Sequence, residues 1–282
     1  MSLFEAIILG IIQGLTEFLP ISSTGHLTLA GKFMGLISET NPEQWTAFIA
    51  IIQLGTLASI IIYFWKDVIS IISSFFKDNL VERKSYKMQS HDSKMGWLVI
   101  VGTIPVVIIG LLFKDDIEGA ITKNLYVIAS SLIGLAIILL IAEKTAKFKK
   151  DLKQTTIIDA LVVGIAQAVA LIPGSSRSGT TITGGLFMGL KREDAARFSF
   201  LLSMPAIFAA GVLQIKEVVA FVTPDMLLNL IVATIVSGIS GYLAIDFLLK
   251  FLRKNSTMLF IIYRIALGAL ILTLLQTGII QP

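Results

Sequence analysis

Six long runs of apolar residues dominate this 282-residue sequence. Five of them contain no Asp, Glu, Lys or Arg, and the sixth contains only Arg264. Crossing about 30 Å of hydrocarbon as an α-helix takes about 20 residues, and each run approaches or exceeds that length. We therefore predict six transmembrane helices, at residues 44–65, 95–113, 124–142, 198–215, 226–245 and 255–277.

The composition excludes several classes of protein. Hydrophobic residues make up 55% of the chain and charged residues 15%, against about 45–50% and about 25% in soluble domains. A disordered chain, a coiled coil and an ordinary soluble enzyme are therefore excluded. Without cysteine, the chain forms no disulfide, zinc finger or iron–sulfur cluster. The net charge of +4 does not indicate a nucleic-acid partner, because Lys and Arg collect in a few loops.

Two further apolar stretches, residues 2–31 and 156–190, are interrupted by polar residues. Glu17, Pro20 and a Ser-Ser-Thr-Gly-His cluster break the first, and a Pro-Gly pair followed by Ser-Ser-Arg-Ser-Gly breaks the second. Irregular backbone at membrane depth must be buried in protein or line a wet cavity. Each stretch is therefore predicted to form a re-entrant hairpin, in which two short half-helices are joined by a polar connection.

The distribution of basic residues supports this arrangement. Seventeen of the 23 Lys and Arg residues lie in four segments, residues 66–94, 143–155, 191–197 and 250–254. Six spans and two re-entrant hairpins place all four segments on one side of the membrane. The positive-inside rule then predicts that this side is cytoplasmic and that both termini lie outside. We interpret residues 66–94 as a solvated loop.

The two interrupted stretches also resemble each other. Residues 9–26 read LGIIQGLTEFLPISSTGH, and residues 163–180 read VGIAQAVALIPGSSRSGT. With a one-residue gap before the prolines, the matched residues are Gly10 with Gly164, Gln13 with Gln167, Pro20 with Pro173, and Ser22-Ser23 with Ser175-Ser176. The match predicts an internal repeat.

Each repeat would contain one hairpin and three spans, and because three is odd, the second repeat must be inverted relative to the first. Sites in inverted repeats usually lie near the bilayer midplane, where discontinuous helices meet. We therefore predict an all-α polytopic membrane protein with six transmembrane helices, two re-entrant hairpins and an inverted-topology repeat. One domain would cover residues 1–282, with repeats at about 1–150 and 151–282.

Three residues of the first hairpin are candidates for catalysis or metal binding. Gln13 and Glu17 are four apart and share one helix face. A carboxylate in an apolar stretch is costly unless it is paired, bound to a metal or protonated. Glu17 is therefore predicted to be a metal ligand or an acid/base, the alternative being an interfacial carboxylate. His26 titrates near neutral pH and is predicted to carry a proton or attack as a nucleophile, unless it is only a packed, hydrogen-bonded residue.

Hydroxyl-rich segments follow both prolines. At least one hydroxyl of Ser22, Ser23 and Thr24 is expected to cap the next half-helix, and Ser22 and Thr24 are also predicted to bind the substrate phosphate. Small residues, hydroxyls, helix N-terminal N–H groups and a guanidinium together predict an anion site in the second segment. Its residues are Gly174, Ser175, Ser176, Arg177, Ser178, Gly179 and Thr181. The alternative for Arg177 is a buried ion pair with Glu17.

Two other charged residues are interpreted as structural. Arg264 and Asp246 are predicted to lie near span ends, where they pair with each other or extend towards water.

The motifs Gln13-x-x-x-Glu17, Pro20-x-Ser-Ser-Thr-Gly-His26 and Pro173-Gly-Ser-Ser-Arg-Ser-Gly-Thr-Thr181 closely resemble those of the undecaprenyl-diphosphate phosphatase family. These bacterial membrane enzymes are historically linked with bacitracin resistance. The resemblance covers essentially the whole chain, with both motifs in order. The family pattern begins with Glu or Gln. This chain has Gln there, so one carboxylate fewer is available to a metal.

The resemblance implies hydrolysis of undecaprenyl diphosphate to undecaprenyl phosphate and inorganic phosphate, which recycles the lipid carrier of cell-wall precursors. It implies a divalent cation, Mg²⁺ or Ca²⁺, held through Glu17 and Gln13. It also implies a homodimer in the bacterial cytoplasmic membrane, in contact with membrane lipids and with its site open to the outer face. The site residues that it carries over, besides Gln13, are Glu17, Ser23, His26, Ser176, Arg177 and Thr181.

Three attacking groups remain open. Ser23 is the candidate nucleophile, with His26 as its base and later an acid. A phosphohistidine at His26 and direct attack by water are the alternatives. In each case Arg177 and hairpin N–H groups would hold the phosphoryl oxygens.

Other functions fit less well. A second lipid phosphatase family with a Ser-Gly-His motif needs another catalytic histidine, and the only other one here, His91, lies in a charged segment. A secondary transporter or flippase for an anionic lipid would also suit Arg177, with Glu17 and His26 as a proton relay. A scaffold would leave these polar residues without a purpose.

Overall fold

The computed structural model describes residues 1–38 and 40–281, without the side chains of residues 120, 121, 221 and 225; Glu39 and Pro282 lie outside the described residues. Within the described residues the chain folds into α-helices without a β-strand. The helices are α1 (Leu3–Phe18), α2 (Ser23–Phe33), α3 (Pro42–Tyr63), α4 (Trp65–Phe76), α5 (His91–Leu112), α6 (Lys114–Glu118), α7 (Leu125–Thr145), α8 (Ile157–Val169), α9 (Arg177–Phe187), α10 (Arg192–Phe221), α11 (Pro224–Leu252) and α12 (Met258–Gln276).

Six of these helices, α3, α5, α7, α10, α11 and α12, are long and apolar enough to cross a membrane. They confirm the six predicted spans. The largest difference is at α10, which begins at Arg192 and ends at Phe221, beyond the predicted residues 198–215. A helix need not stop where its apolar run stops, and the acidic residues Glu193 and Asp194 favour its first turn through the helix dipole.

Both interrupted stretches form pairs of shorter helices, as predicted. We call α1 and α2 the first hairpin, with residues 17–24 as its tip, and α8 and α9 the second hairpin, with residues 170–178 as its tip. Pro20 and Pro173 lie in these tips, where proline and the restriction that it places on the preceding residue disfavour a continuous helix. The face of the membrane from which each hairpin enters stays a prediction.

The two hairpins correspond to each other without a gap. Helices α2 and α9 each have 11 residues and start 154 positions apart. Their N-caps, Ser22 and Ser176, have φ angles of 75° and 68°. Each N-cap hydroxyl accepts a hydrogen bond from the glycine N–H three residues on. The predicted one-residue gap is therefore wrong, and Ser22 corresponds to Ser176. The prolines misled the comparison because they occupy different positions in the two tips.

Helices α2 and α9 also end alike. Both close on the sequence Phe-Met-Gly-Leu, at residues 33–36 and 187–190. The N–H groups of Leu36 and Leu190 bond to carbonyl groups five residues earlier, at 2.8 Å and 3.0 Å. Gly35 and Gly189 adopt φ angles of 65° and 84°, as the C-terminal Schellman motif requires. The same backbone thus occurs at both ends of the two helices.

Each hairpin packs against the other half of the chain. Helix α1 packs on α11, and α8 packs on α5, so each contacts the second span of the opposite half. These contacts depend on glycine. A Cβ at Gly10 would lie 2.6 Å from the carbonyl oxygen of Ala233, and a Cβ at Gly164 would collide with the carbonyl of Gly102. The pairing is the one that a two-fold related repeat predicts, although the orientation of the halves in a membrane stays a prediction.

Residues 66–94 are not a simple loop. Helix α4 follows α3 directly, and Trp65, Ile69, Ile72 and Phe76 lie exposed along one of its sides. Their spacing of three or four residues is that of one helix face. The prediction of a solvated loop was wrong here because the charges were counted and this apolar spacing was not.

Candidate active site

The tips of the two hairpins meet at Glu17 and Arg177. The Nη2 group of Arg177 donates a hydrogen bond to Oε1 of Glu17, and the two side chains form an ion pair. Beside them, the hydroxyl of Ser178 donates to the carbonyl of Leu19 at 2.9 Å. The predicted contact between the tips is confirmed. The alternative interpretation of Arg177, a buried ion pair with Glu17, also describes this geometry.

Glu17 gathers the polar groups of the site around one carboxylate. Its Oε2 accepts hydrogen bonds from Nε2 of Gln13 at 2.9 Å and from the hydroxyl of Ser23 at 2.6 Å. With Arg177 on the other oxygen, three donors surround a side chain whose residue is only 5% exposed. A buried carboxylate needs such partners to remain ionised. The predicted one-turn relation of Gln13 to Glu17 is present.

Two helix N-termini lie next to this carboxylate. Ser23 is the first residue of α2, and Arg177 is the first residue of α9. The first N–H groups of a helix have no partner within it and carry a partial positive charge. Anions bind favourably at such positions. The arrangement places a hydroxyl, a guanidinium and two sets of free N–H groups around one point.

His26 is held away from Ser23. Its Nδ1 lies 2.7 Å from the carbonyl of Ser22, which can only accept, so Nδ1 carries a proton. Its Nε2 lies 2.7 Å from the hydroxyl of Tyr263 and accepts a hydrogen bond from it when the ring is neutral. Because Ser23 donates to Glu17 instead, the predicted Ser23–His26 pair is not present in this structure. The position of His26 suits fixing the strained Ser22 cap, which has a positive φ.

A cavity of about 180 Å³ opens onto these groups. The sequence-predicted residues that line it are Glu17, Ser22, Ser23, Thr24, Gly174, Ser175, Ser176 and Arg177. They come from both tips, so neither hairpin forms the cavity by itself.

Three residues predicted to bind phosphate lie behind the cavity wall instead. Ser178 is bonded to the first tip. Thr181 donates to the carbonyl of Arg177 at 2.6 Å and lies 2.5 Å from the hydroxyl of Ser199. A Cβ at Gly179 would lie 2.6 Å from Nη1 of Arg264, so this glycine makes room for an arginine. Ser178, Gly179 and Thr181 thus contact neighbouring parts of the protein and do not line the cavity.

Sequence reasoning misplaced Arg264. It is fully buried, and its Nη2 donates to the carbonyl of Ser175 in the second tip at 2.8 Å. Asp246 pairs with Lys250 and accepts from Tyr63, so the predicted pairing of Arg264 with Asp246 is wrong. A single arginine in an otherwise uncharged span was the available signal, since such residues usually face the protein interior.

Two glutamines of the cavity wall were not predicted as site residues. Gln53 of α3 and Gln167 of α8 both line the cavity. Gln167 appeared in the sequence only as the counterpart of Gln13. An amide in the middle of a hydrophobic helix was the signal that could have identified it.

A divalent cation fits part of this site. Oε1 of Gln13 is buried and has no hydrogen-bond partner among the described residues. Glu17 lies one turn away, and a carboxylate can accept about four hydrogen bonds or ligands. No group of three or more His, Cys, Asp or Glu residues is gathered as a metal centre within the described residues. Mg²⁺ is commonly held by one or two protein oxygens together with substrate phosphates, and Gln13 and Glu17 can supply these two.

Comparison with known proteins agrees with this site. The family described as bacitracin resistance protein BacA matches residues 6–270. The chain belongs to this family. As a member with six apolar helices of spanning length, it is an integral membrane protein.

Relatives of similar length carry one common name. A protein of Syntrophobacter fumaroxidans named undecaprenyl-diphosphatase is 56% identical over 272 residues, which cover 96% of this chain and 97% of the relative. A protein of Chloroherpeton thalassium with the same name is 52% identical, with 99% and 98% covered. A third, from Chlorobium phaeobacteroides, is 52% identical over the full length of both chains.

Proposed function

We propose that the protein hydrolyses undecaprenyl diphosphate to undecaprenyl phosphate and inorganic phosphate. The observation that carries this proposal is the cluster of Glu17, Ser23 and Arg177 at two helix N-termini beside one cavity. Family membership and the shared name of the relatives support it. The product would return to use as the lipid carrier of cell-wall precursors, which fits the bacitracin resistance of the family's name.

Arg177 and the helix N-termini suit the terminal phosphate. A diphosphate carries several negative charges, and phosphoryl transfer depends mainly on positioning and charge stabilisation. Arg177 presents a planar fork that matches phosphate oxygens. Substrate binding would share Arg177 between Glu17 and the phosphate, and the free N–H groups of α2 and α9 would donate hydrogen bonds to the remaining phosphate oxygens.

Ser23 is the nucleophile that the geometry favours, with Glu17 as its base. The Ser23 hydroxyl already donates to Glu17 at 2.6 Å. In the first step, the Ser23 oxygen bonds to the terminal phosphorus, its proton moves to Glu17, and the bond to the bridging oxygen breaks. Undecaprenyl phosphate leaves. Water then attacks the phosphoserine and the Ser23–phosphorus bond breaks. Glu17 returns its proton to the Ser23 oxygen, and both protons of the water leave with the phosphate, as dihydrogen phosphate.

His26 acts through Ser22 in this scheme. Its Nδ1–H fixes the carbonyl of Ser22, and Ser22 caps the helix that begins with Ser23. A positive φ at a non-glycine residue costs about 1–2 kcal/mol, so Ser22 needs such support. Attack by His26 itself would require its Nε2 to leave Tyr263.

A divalent cation completes the proposal. Glu17 and Oε1 of Gln13 would hold it, and it would neutralise charge on the diphosphate oxygens. The amide oxygen of Gln13 would then bind the metal, while its amide nitrogen donates to Glu17. Binding of a metal would account for the absence of a hydrogen-bond partner at this oxygen.

We further propose that the protein lies in the bacterial cytoplasmic membrane with both termini and the cavity towards the outer face. The support is the concentration of basic residues in four segments. Because the chain lacks cysteine, Asn41→Cys should react with an impermeant maleimide from outside intact cells and Lys87→Cys only after lysis. Both residues are exposed. Labelling of both from outside would overturn this orientation. The homodimer stays a prediction.

The catalytic proposal is tested by phosphate release in detergent. Purified protein should release inorganic phosphate from undecaprenyl diphosphate, and EDTA should suppress the reaction until Mg²⁺ or Ca²⁺ is restored. Detergent leaves no compartments, so a transporter without hydrolytic activity would release none. A monodisperse protein that is inactive at every cation concentration would contradict the proposal.

A further inference from the structure

Gln167 is the counterpart of Gln13 in the second hairpin, but it lacks a carboxylate partner like Glu17. It lies 154 positions after Gln13, at the spacing that relates the two hairpins. Gln13 is followed four residues later by Glu17 and donates to it. Gln167 is followed four residues later by Leu171. The second hairpin therefore keeps the amide but lacks the carboxylate that would satisfy it.

The amide of Gln167 has no partner of its own. The residue is fully buried, and neither Nε2 nor Oε1 has a hydrogen-bond partner among the described residues. Leaving a buried polar group unsatisfied costs about 1–3 kcal/mol. The side chain lines the cavity between the tips, so the space from which it can be satisfied is the cavity itself.

Ser175 repeats this pattern in the lining of the same cavity. Its hydroxyl is buried without a partner, and the residue lines the cavity. Its carbonyl is fixed from behind by Arg264 at 2.8 Å. The backbone of Ser175 is thus held in place while its hydroxyl stays available.

We propose that Gln167 and Ser175 form a second subsite, which binds the lipid-proximal phosphate of the diphosphate. This inference rests on the proposed hydrolysis of a lipid diphosphate. Glu17, Ser23 and Arg177 would surround the terminal phosphate, which leaves the uncharged part of the cavity lining for its neighbour. Gln167 Nε2 and the Ser175 hydroxyl donate to non-bridging oxygens of the phosphate that remains on the lipid.

Neutral donors suit this phosphate. It carries less charge than the terminal group, and it stays on the product after the bridging bond breaks. Hydrogen bonds from an amide and a hydroxyl stabilise the charge that develops there as the bond breaks. They hold the departing product less strongly than a second arginine would.

The test variant is Gln167→Leu, which removes the amide at nearly constant volume. Replacing an unsatisfied buried amide by an apolar side chain should leave thermal stability unchanged or raised. With farnesyl diphosphate as the probe, kcat/KM should fall about 10- to 100-fold, as for a hydrogen bond to a charged group. Inhibition by farnesyl monophosphate should weaken by a similar factor, whereas inhibition by inorganic phosphate should not change.

Gln214→Leu is the matched control. Gln214 is also a buried glutamine, but it donates to Glu118 at 2.6 Å and does not line the cavity. Its replacement should lower thermal stability and leave kcat/KM near the wild-type value.

Ser175→Ala provides a second variant, with an expected loss of several-fold in kcat/KM. The subsite is overturned if Gln167→Leu and Ser175→Ala both keep wild-type kcat/KM. It is equally overturned if Gln167→Leu weakens inhibition by inorganic phosphate as much as by farnesyl monophosphate, or if its lost activity tracks lost stability. Failure of the proposed function looks different, because the wild-type protein itself would then release no phosphate.

Discussion

The two hairpins repeat the same helix geometry but differ in their chemistry. At a separation of 154 residues, α1 and α8 have matching starts, and α2 and α9 have matching starts, caps and ends, yet Glu17 corresponds to Leu171 and Ser23 to Arg177. The first tip supplies a carboxylate and a hydroxyl, and the second supplies a guanidinium. Because both first helical residues contact Glu17, one duplicated backbone yields two unlike halves of a single site.

Removing the guanidinium group of Arg177 from the second tip should have the largest effect on activity. Arg177→Ala is expected to lower kcat/KM by about 10³- to 10⁵-fold, the range found when an arginine that stabilises a transferring phosphoryl group is lost. Arg177→Lys should recover only part of the rate, because it lacks the planar fork. Phosphate-release assays on monodisperse protein measure both.

The loss of activity in Arg177→Ala must be distinguished from a loss of protein stability. Arg177→Ala leaves the buried Glu17 without its ion-pair partner, which destabilises a fold. The double variant Glu17→Gln, Arg177→Ala removes both charges and should regain stability without regaining activity. Near-wild-type turnover in any of these variants would remove Arg177 from the catalytic account.

Removing the carboxylate of the first tip should have the next largest effect. Glu17→Gln keeps the shape of the side chain but cannot accept the Ser23 proton, so kcat should fall about 10²- to 10⁴-fold. Assays over a wide range of Mg²⁺ and Ca²⁺ separate its two proposed roles. A rate that stays low at every concentration indicates a lost base, whereas recovery at high concentration would make Glu17 a metal ligand only.

Loosening the cap of the first tip should have a smaller effect. His26→Ala removes the side-chain donor to the Ser22 carbonyl and leaves only the backbone N–H of residue 26, and a displacement of about 1 Å at a reacting group can cost about 10²-fold. His26→Asn or His26→Gln, which can still donate, should restore part of the activity. Tyr263→Phe, which loses only the bond to Nε2, should retain most of it. If no donor variant rescues and Tyr263→Phe is equally impaired, His26 acts directly on the substrate.

The sequence predicted the spans because an uncharged run of this length has few other uses. It indicated the ion pair of Glu17 with Arg177 only as an alternative to an anion site, on the ground that neither charge is tolerated alone among apolar residues. It misaligned Ser22 because the register of the repeat is fixed by capping geometry, whereas Pro20 and Pro173 suggested another register. It missed the placement of Arg264 and the position of Gln167 in the cavity wall because both depend on which distant helix lies opposite.

The central claim is that a hydroxyl of the first tip attacks a phosphate held by the second. Rapid quench of the wild-type protein with terminally labelled substrate tests it most directly. The account predicts acid-stable label on Ser23 that appears before free phosphate and is absent from Ser23→Ala. Acid-labile label on His26, or near-normal turnover of Ser23→Ala, would contradict it.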